Sequence, residues 1–458
     1  METIIIIVFV VGYLAITMEH NLKIDKLIPA LAMMAILWAI IALAHLPVFE
    51  VNTDLKELEP SHIDEILLHH LGKTAEILVF LLGAMTIVEI IDYFDGFATI
   101  KGYIRTKSKR KLLWLFSILA FILSAIIDNL TATIVLITIL QKVILDKNTR
   151  LWFAGMVIIA ANAGGAWSPI GDVTTTMLWI GNKVSAAQLI EHVLVPSIVC
   201  MVVPVLFASR YSAFKGNIEA EVGGDADAPK SKFGATMLYL GLGAIVFVPF
   251  FKTITHLPPY VGMMLSLAIV ATFAEIYSSS KFTISDPVDV AGESDSVGYH
   301  SPVHHSLSKI EMPSILFFLG ILLAVAALES LGMLFHFAEA LDKTMPMLGT
   351  ESIGEHVSDL VVLFLGVGSA VIDNVPLVAA SMGMFSVPID DPVWHFIAYS
   401  AGTGGSMLII GSAAGVVAMG MEKIDFFWYL KKIAWLAFLG FISGAVTFIL
   451  IRNLILNA

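Results

Sequence analysis

Two copies of a short polar motif interrupt long apolar stretches of the chain. Ser-Ala-Ile-Ile-Asp-Asn at residues 124–129 recurs 245 residues later as Ser-Ala-Val-Ile-Asp-Asn at residues 369–374. An ionisable side chain inside a membrane span costs about 3 kcal/mol on insertion scales, so it marks a functional site by default. Carboxylate, amide and hydroxyl oxygens suit a hard cation, and a carboxyl group can hold a proton instead. The motif therefore predicts that Asp128 and Asp373 bind a small inorganic cation or a proton.

A second pair of segments follows the two motifs. Asn-Ala-Gly-Gly-Ala-Trp-Ser-Pro-Ile-Gly-Asp at residues 162–172 matches Gly-Thr-Gly-Gly-Ser-Met-Leu-Ile-Ile-Gly-Ser at residues 402–412, at an offset of 240 residues. Glycine and proline interrupt a helix. The freed carbonyl groups are tolerated at membrane depth only beside protein or water, where they can bind a cation. We expect a helix break in each segment, with Asp172 as a third candidate carboxylate.

The polar side chains of these four segments form one candidate cation and proton site. Its members are Asp128, Asp373, Asp172, Asn129, Asn374, Asn162, Ser124, Ser369, Thr131, Thr174, Thr175, Ser406 and Ser412, with Na+ held at Asp128, Asn129, Asp373 and Asn374. Further candidates are Ser168, Thr403, Glu89 and Glu329. The two glutamates are also offset by 240 residues, although each lies near a span end, where a charged side chain can reach the interface. A lone intramembrane serine or threonine usually bonds to its own helix.

The composition identifies an integral membrane protein. Hydrophobic residues make up 58% of the 458 residues and charged residues 14%, whereas a soluble domain has about 25% charged residues. The apolar residues occur in runs long enough to cross the hydrocarbon core as helix. The first run, residues 3–18, is interpreted as a retained helix rather than a signal peptide. One cysteine, Cys200, excludes a disulfide framework, and no long basic stripe predicts nucleic-acid binding.

Loop charge gives an orientation. Basic residues dominate 101–111, which predicts a cytoplasmic loop, and acidic residues dominate 47–72 and 339–360, which predicts external loops. The stretch 112–140 lies between two basic segments and 357–387 lies between two acidic ones. Each is therefore expected to enter and leave on the same face as a re-entrant hairpin. An ordinary single span with a buried aspartate is the alternative.

The matched segments predict two inverted repeats, residues 1–209 and 233–458, joined by a polar cytoplasmic linker at 210–232. The first repeat contains the hairpin 112–140 and the broken helix 152–180, and the second contains the hairpin 357–387 and the broken helix 394–420. Other spans are predicted at 3–18, 26–46, 74–97, 188–209, 234–251, 259–277, 312–338 and 426–451. The predicted fold is an all-α membrane protein of about ten spans and two hairpins, with interrupted helices at the midplane. Inverted repeats of this kind are typical of secondary transporters.

The motifs resemble those of the NhaD sodium/proton antiporters of the ion transporter superfamily. The match runs through 124–131, 162–175, 369–376 and 402–412 and covers nearly the whole chain in segment order. The resemblance implies Na+ and Li+ export against H+ uptake across a prokaryotic inner membrane, without a cofactor. It also implies a homodimer whose hairpin-bearing domain moves like an elevator. The family's polar residues correspond here to Ser124, Asp128, Asn129, Asn162, Asp172, Thr174, Thr175, Ser369, Asp373 and Asn374.

Two alternatives remain open at this point. One is a permease for arsenite, or for an organic anion with sodium. The symporters of the superfamily carry Ser-Asn-Thr at the hairpin tip, whereas this chain has Asp-Asn there. The added carboxylate would repel a dianionic substrate. The other is an intramembrane aspartyl protease with Asp128 and Asp373 as its dyad, although both aspartates precede asparagine within a duplicated hairpin. The sequence favours a transporter rather than an enzyme, with small cations and membrane lipid as partners.

Overall fold

Helices form almost all of the structure, a computed structural model that describes residues 2–17, 23–52, 57–101, 106–218, 233–282, 301–310, 312–334, 336, 349–351, 356–371 and 374–456. Within these ranges there are 19 α-helices and two small antiparallel sheets, β1–β2 and β3–β4. Seven of the helices are long and apolar enough to cross a membrane, and six more are shorter and apolar. The predicted all-α membrane architecture is confirmed.

The first half of the chain contains nine helices within the described ranges. They are α1 (Glu2–Thr17), α2 (Leu27–Leu43), α3 (Ile63–Tyr93), α4 (Ala98–Lys101), α5 (Lys109–Ile127), α6 (Asn129–Val143), α7 (Lys147–Gly165), α8 (Val173–Ile180) and α9 (Ala186–Ala208), with the strands β1 (Val48–Asn52) and β2 (Glu57–Ser61) between α2 and α3. A short 3-10 helix (Ser212–Phe214) follows α9. Most of the predicted linker, residues 219–232, lies outside the described residues.

The second half contains ten helices in its described ranges. They are α10 (Gly234–Thr255), α11 (Pro259–Phe282), α12 (Pro302–Lys309), α13 (Met312–Ser330), α14 (Asp359–Gly368), α15 (Asn374–Met384), α16 (Pro392–Gly404), α17 (Ala413–Glu422), α18 (Phe426–Lys432) and α19 (Ala434–Leu456), with the strands β3 (Gly349–Glu351) and β4 (His356–Ser358) before α14.

Three span boundaries differ from the sequence-based ones. Helix α3 begins at Ile63 rather than at 74, because Asp64 and Glu65 favour the positive N-terminal end of a helix. The segment predicted as 312–338 ends its helix at Ser330, where Gly332 takes a φ of 68° that other residues avoid. The last span, predicted as 426–451, is divided into α18 and α19.

The chain forms two compact units. The first contains residues 1–78, 106–220 and 313–458, and the second contains 79–105 and 221–312, so each unit takes residues from both halves of the sequence. In the second unit α10 packs against α11, and Gly241 of α10 lies so close to Ile91 that a Cβ there would be 2.5 Å from its side chain. All four polar segments described above belong to the first unit.

Two closing helices, α9 and α19, pack against each other in the first unit. Gly440 and Gly444 of α19 lie against backbone carbonyl groups of Cys200 and Pro196 in α9. Small residues four positions apart allow two membrane helices to approach closely. This pair supports α16, because the hydroxyl group of Tyr399 donates a hydrogen bond of 2.7 Å to the carbonyl oxygen of Phe441.

Candidate cation site

The first hairpin turns at Asp128. This residue separates α5 from α6 and has φ 75° and ψ 159°, a conformation that non-glycine residues rarely adopt. Its carboxylate caps α6 by accepting hydrogen bonds of 2.9 Å from the backbone N–H and from the hydroxyl group of Thr131. A carboxylate at a helix N-terminus is stabilised by the unpaired N–H groups there. Thr131, which the sequence predicts as a ligand, binds Asp128 directly.

The first helix break places Asp172 at the start of α8. Helix α7 ends at Gly165, and the next helical residue is Val173. The Asp172 carboxylate accepts hydrogen bonds of 2.9 Å from the backbone N–H and from the hydroxyl group of Thr174. The hydroxyl group of Thr175 donates to the carbonyl oxygen of Asp172 at 2.9 Å. Asp172 is only 2% exposed, so its charge depends on these donors for stabilisation.

Both hairpin tips reach the Asp172 carboxylate. The side-chain amide of Asn129, the first residue of α6, donates to Asp172 Oδ2 at 2.6 Å. The amide of Asn374, the first residue of α15, lies 3.3 Å from the same oxygen and 3.5 Å from Oδ1. Two residues at equivalent positions of the repeated motif therefore converge on one buried carboxylate.

The second helix break joins the same network. Asn129 also donates to Asn162 Oδ1 at 3.3 Å, and Asn162 donates to the hydroxyl group of Ser412 at 3.1 Å. Ser412 caps α17 as Asp172 caps α8, with nearly the same extended backbone. The structure thus brings together one residue from each hairpin tip, one from each break, and Asn162.

The hydroxyl candidates at the edge of this network bind the backbone instead. Ser124 donates to the carbonyl oxygen of Ala161 at 2.6 Å, and its counterpart Ser369 donates to that of Ala401 at 3.2 Å. Three further candidates also donate to carbonyl oxygens, over 2.6–2.7 Å: Ser168 to Ala125, Thr403 to Tyr399 and Ser406 to Thr403. Ser124, Ser369 and Ser168 thereby fasten the hairpins to the broken helices. Thr403 and Ser406 instead bond to carbonyl groups four and three residues earlier in their own segment.

Glycines allow the hairpins to lie against the broken helices in both halves. Gly164 lies directly on the carbonyl group of Phe121, and Gly404 lies on that of Gly366, so that a Cβ at either position would collide with a backbone oxygen. The two pairs are related by the same offsets as the sequence motifs, 245 residues for the hairpins and 240 for the breaks. The repeated sequence therefore makes repeated contacts.

The ligand chemistry at this site is oxygen-rich. In the part of the chain that the structure describes, no group of three or more His, Cys, Asp or Glu side chains could hold a metal ion. A cation here would take one or two carboxylates together with amide, hydroxyl and carbonyl oxygens. That set suits a hard monovalent ion rather than a transition metal.

Comparison with known proteins identifies the family. Residues 3–394 match the citrate transporter family, CitMHS. The chain is 40% identical over 451 residues to Sodium/proton antiporter 1 of Arabidopsis thaliana, covering 98% of this chain and 72% of that protein. It is 28% identical over 462 residues to the Na(+)/H(+) antiporter NhaD of Vibrio cholerae, covering 98% of this chain and 91% of that protein.

The chain belongs to the NhaD-type sodium/proton antiporters of the ion transporter superfamily. The resemblance drawn from its motifs is confirmed, and the chain is a multi-pass membrane transporter.

Two predicted residues of this NhaD-type protein lie elsewhere, and a third is outside the described residues. Asp373, the second motif aspartate, is outside the described residues, as is Ile372 beside it. Glu89 belongs to the second compact unit. Glu329, on α13, lies against Gly383 of α15, where a Cβ would be 3.0 Å from the Glu329 Cδ atom. Glu329 lines a cavity rather than the asparagine–aspartate network.

Two supporting residues of the NhaD-type site were missed from the sequence. The hydroxyl group of Tyr429, a fully buried residue of α18, donates to the carbonyl oxygen of Ser406 at 2.7 Å. Glu422, the last residue of α17, is 2% exposed and pairs with Arg150. The position of Glu422 near the end of a predicted span was the available signal for its role. Its partner Arg150 was interpreted only as part of a basic loop.

Proposed function

We propose that this protein exchanges Na+ for H+ across its membrane, with Asp172 and Asp128 as carboxylates that bind the cation and the proton in turn. The observation that supports this most strongly is the convergence of Asn129 and Asn374 on the Asp172 carboxylate. The relatives named as sodium/proton antiporters support Na+ and H+ as the transported ions. Asp373 is itself outside the described residues, and we include it among the proposed ion-binding residues because of its place in the motif.

The exchange follows from competition for one carboxylate. An ionised Asp172 accepts the two amide hydrogen bonds, and each amide also carries an oxygen that can face a cation. Na+ at the carboxylate neutralises the charge that a proton would otherwise neutralise. Binding of either ion therefore excludes the other, and a buried carboxylate without either ion is costly. A site that changes sides only when neutral would couple the two ions.

Several finer features remain proposals. Li+, a smaller hard cation, is expected to replace Na+, whereas K+ is expected to be a poor substrate. The two hairpins and two broken helices are proposed to move together as the transport domain, by an elevator-like motion, in a homodimer. A prokaryotic inner membrane also remains a proposal, since the relatives include proteins of bacteria and of Arabidopsis thaliana.

Sodium-coupled uptake of an organic anion is the second candidate function, because the matching family is described as citrate transporters. The buried Asp172 and the nearby Asp128 disfavour it, since two carboxylates repel a dianion. A symporter predicts citrate-dependent uptake of radioactive sodium into vesicles. Antiport predicts uptake that depends on the pH gradient and is indifferent to citrate.

The main experiment uses everted vesicles that hold a respiration-driven pH gradient, followed with a fluorescent weak base. Addition of NaCl or LiCl should collapse the gradient, and KCl should have little effect. Asp172→Asn and Asp128→Asn should each abolish the response. Asp146→Asn is the matched control, because Asp146 also caps a helix, α7, but is exposed. A normal Na+ response in Asp172→Asn would overturn the proposed site.

A further inference from the structure

A cavity of about 540 Å³ opens into the first compact unit near the site. It is lined by parts of α3, α8, α13 and α15, together with Glu50 of β1. The β1–β2 hairpin belongs to the acidic segment 47–72, which the charge pattern predicts to be external. The cavity therefore opens towards the face that carries this hairpin.

The lining of the cavity contains both charged and apolar residues. At the open end lie charged and polar residues at one end of each helix: His69 and Lys73 early in α3, Lys183 after α8, and Glu329 late in α13. Glu50 and His69 have side chains that are 56% and 41% exposed. Charged residues at the level of a membrane protein's helices generally face water-filled cavities. This end of the cavity is suited to hydrated ions.

Four buried apolar residues, one from each helix, also line the cavity. Ile77 of α3, Met177 of α8, Leu322 of α13 and Ala379 of α15 line the cavity and are 1–8% exposed. A narrow apolar constriction in a channel or transporter can stop hydrated ions until it widens. These four residues therefore have the composition of a gate.

Two of these residues, Met177 and Ala379, lie a short distance along their helices from the asparagine–aspartate network. Met177 is five residues after Asp172 along α8, and Ala379 is five residues after Asn374 along α15. At about 1.5 Å per residue, each helix covers roughly 8 Å over this interval. Helices α8 and α15, which begin at the network, therefore also line the cavity.

The matching helix end in the other repeat is closed. Glu422 at the end of α17 is 2% exposed and covered by Arg150, whereas the position 240 residues earlier, Asn182 after α8, is exposed. Helix α17 packs against α6. The same structural position is therefore open to the cavity in one repeat and buried by an ion pair in the other.

We propose that this cavity is the vestibule through which small inorganic cations and protons reach Asp172 from the face that carries the β1–β2 hairpin, with Ile77, Met177, Leu322 and Ala379 as its gate. The proposal rests on the proposed antiport function. It adds a route, a gate and a direction: the site is accessible from one face and sealed from the other by the Arg150–Glu422 pair.

The single cysteine makes a direct test available. Cys200 is 1% exposed, so Cys200→Ala provides a background without thiols. Into this background we would introduce Asn182→Cys at the mouth and Ala326→Cys in the wall of the cavity. Ala418→Cys, fully buried on α17, is the control, and Glu59→Cys in β2 marks the face. Each variant would be treated with a membrane-impermeant methanethiosulfonate ammonium reagent in vesicles of both orientations.

Asn182→Cys and Ala326→Cys should react from the same face as Glu59→Cys, at least about tenfold faster than Ala418→Cys, which reacts only on local opening. The reaction at Ala326→Cys should also slow the Na+ response. Labelling of Ala326→Cys from the opposite face, or no faster than Ala418→Cys, would overturn the vestibule. The Na+ response of untreated vesicles tests the antiport function separately, so failure of one proposal is distinguishable from failure of the other.

Discussion

Arg150 and Glu422 form an ion pair that joins the two halves of the chain. Arg150 Nε lies 2.8 and 2.7 Å from the two Glu422 carboxylate oxygens, and its Nη1 donates to the carbonyl oxygen of Ile144 at 2.9 Å. The carboxylate is fully buried and the guanidinium is 17% exposed. The pair ties the first turn of α7 to the end of α17, whose N-cap is Ser412 in the site.

Removal of one partner of this pair should destabilise the protein. Arg150→Met leaves a buried carboxylate unpaired, at a cost of about 3 kcal/mol. The double variant Arg150→Met/Glu422→Met should recover much of that loss, because it leaves no buried charge. Thermal unfolding of the purified protein in detergent measures both. Additive losses of stability in the double variant would contradict this account. The control is Arg210→Met, at an exposed position.

The two asparagines should contribute unequally to Na+ affinity. Asn129→Ala removes a hydrogen bond of 2.6 Å to Asp172, and Asn374→Ala removes a longer one of 3.3 Å. A hydrogen bond to a charged group contributes about 1.5–3 kcal/mol, which corresponds to a rise of roughly tenfold or more in the Na+ concentration for a half-maximal response. The larger rise is expected for Asn129→Ala. An equal or reversed order would show that the Asp172 contacts do not set the affinity.

Alanine at Gly164 or Gly404 should disrupt the attachment of each hairpin to its broken helix. The added Cβ would meet the carbonyl oxygen of Phe121 or Gly366, and overpacking of this kind costs about 1–3 kcal/mol. Gly420→Ala on α17 is the matched control, because no atom lies within 4 Å of its Cβ position; it should be neutral or stabilising, since alanine favours helix. The melting temperatures of the three variants decide the point. A control that loses as much stability as the other two would remove the steric explanation.

Asp146, in the loop before α7, gives a pH-dependent prediction. Hydrogen bonds from the hydroxyl group and the backbone N–H of Thr149 hold the pKa of its carboxyl group below the usual value. A lowered pKa in the folded state adds stability that is present above the unfolded pKa of about 4 and is lost as the pH falls through the folded value. Asp146→Ala should therefore lower the melting temperature at pH 7, with a smaller difference under acidic conditions. A difference that grows on acidification would contradict the sign.

The sequence motifs located the residues of the network but not its centre. The repeat and its glycines pointed to Asn129, Asn374, Asp172 and Ser412. Asp128 and Asp373 were expected to lead, with Asp172 as a third candidate. That Asp172 receives both asparagines depends on the packing of α8 against α15 across 202 residues of chain. Local pattern carries no information about which of several carboxylates two distant helix ends will meet.

Other features escaped sequence reasoning for separate physical reasons. The β1–β2 hairpin was not predicted, because its segment was interpreted from its acidic charge and not from an alternation of apolar and polar residues. The burial of Glu422 did not follow from its place near a span end, because glutamate there usually faces water. The fastening role of Ser124 and Ser369 is set by carbonyl groups of helices that follow some 30 residues later. Helix breaks can be predicted from the local sequence, whereas the hydrogen-bond partners of a side chain can be identified only from the tertiary structure.

The contacts between the repeats have a consequence for biosynthesis. Asn374 follows Asp172 by 202 residues, and Glu422 follows Arg150 by 272. The ribosome therefore delivers the first hairpin and its aspartates to the membrane long before their later partners exist. Until translation passes residue 374, Asp172 has a single amide donor from a hairpin tip. Until it passes residue 422, Arg150 lacks its Glu422 partner. Insertion of the second half therefore completes the hydrogen bonds and the ion pair of the first half.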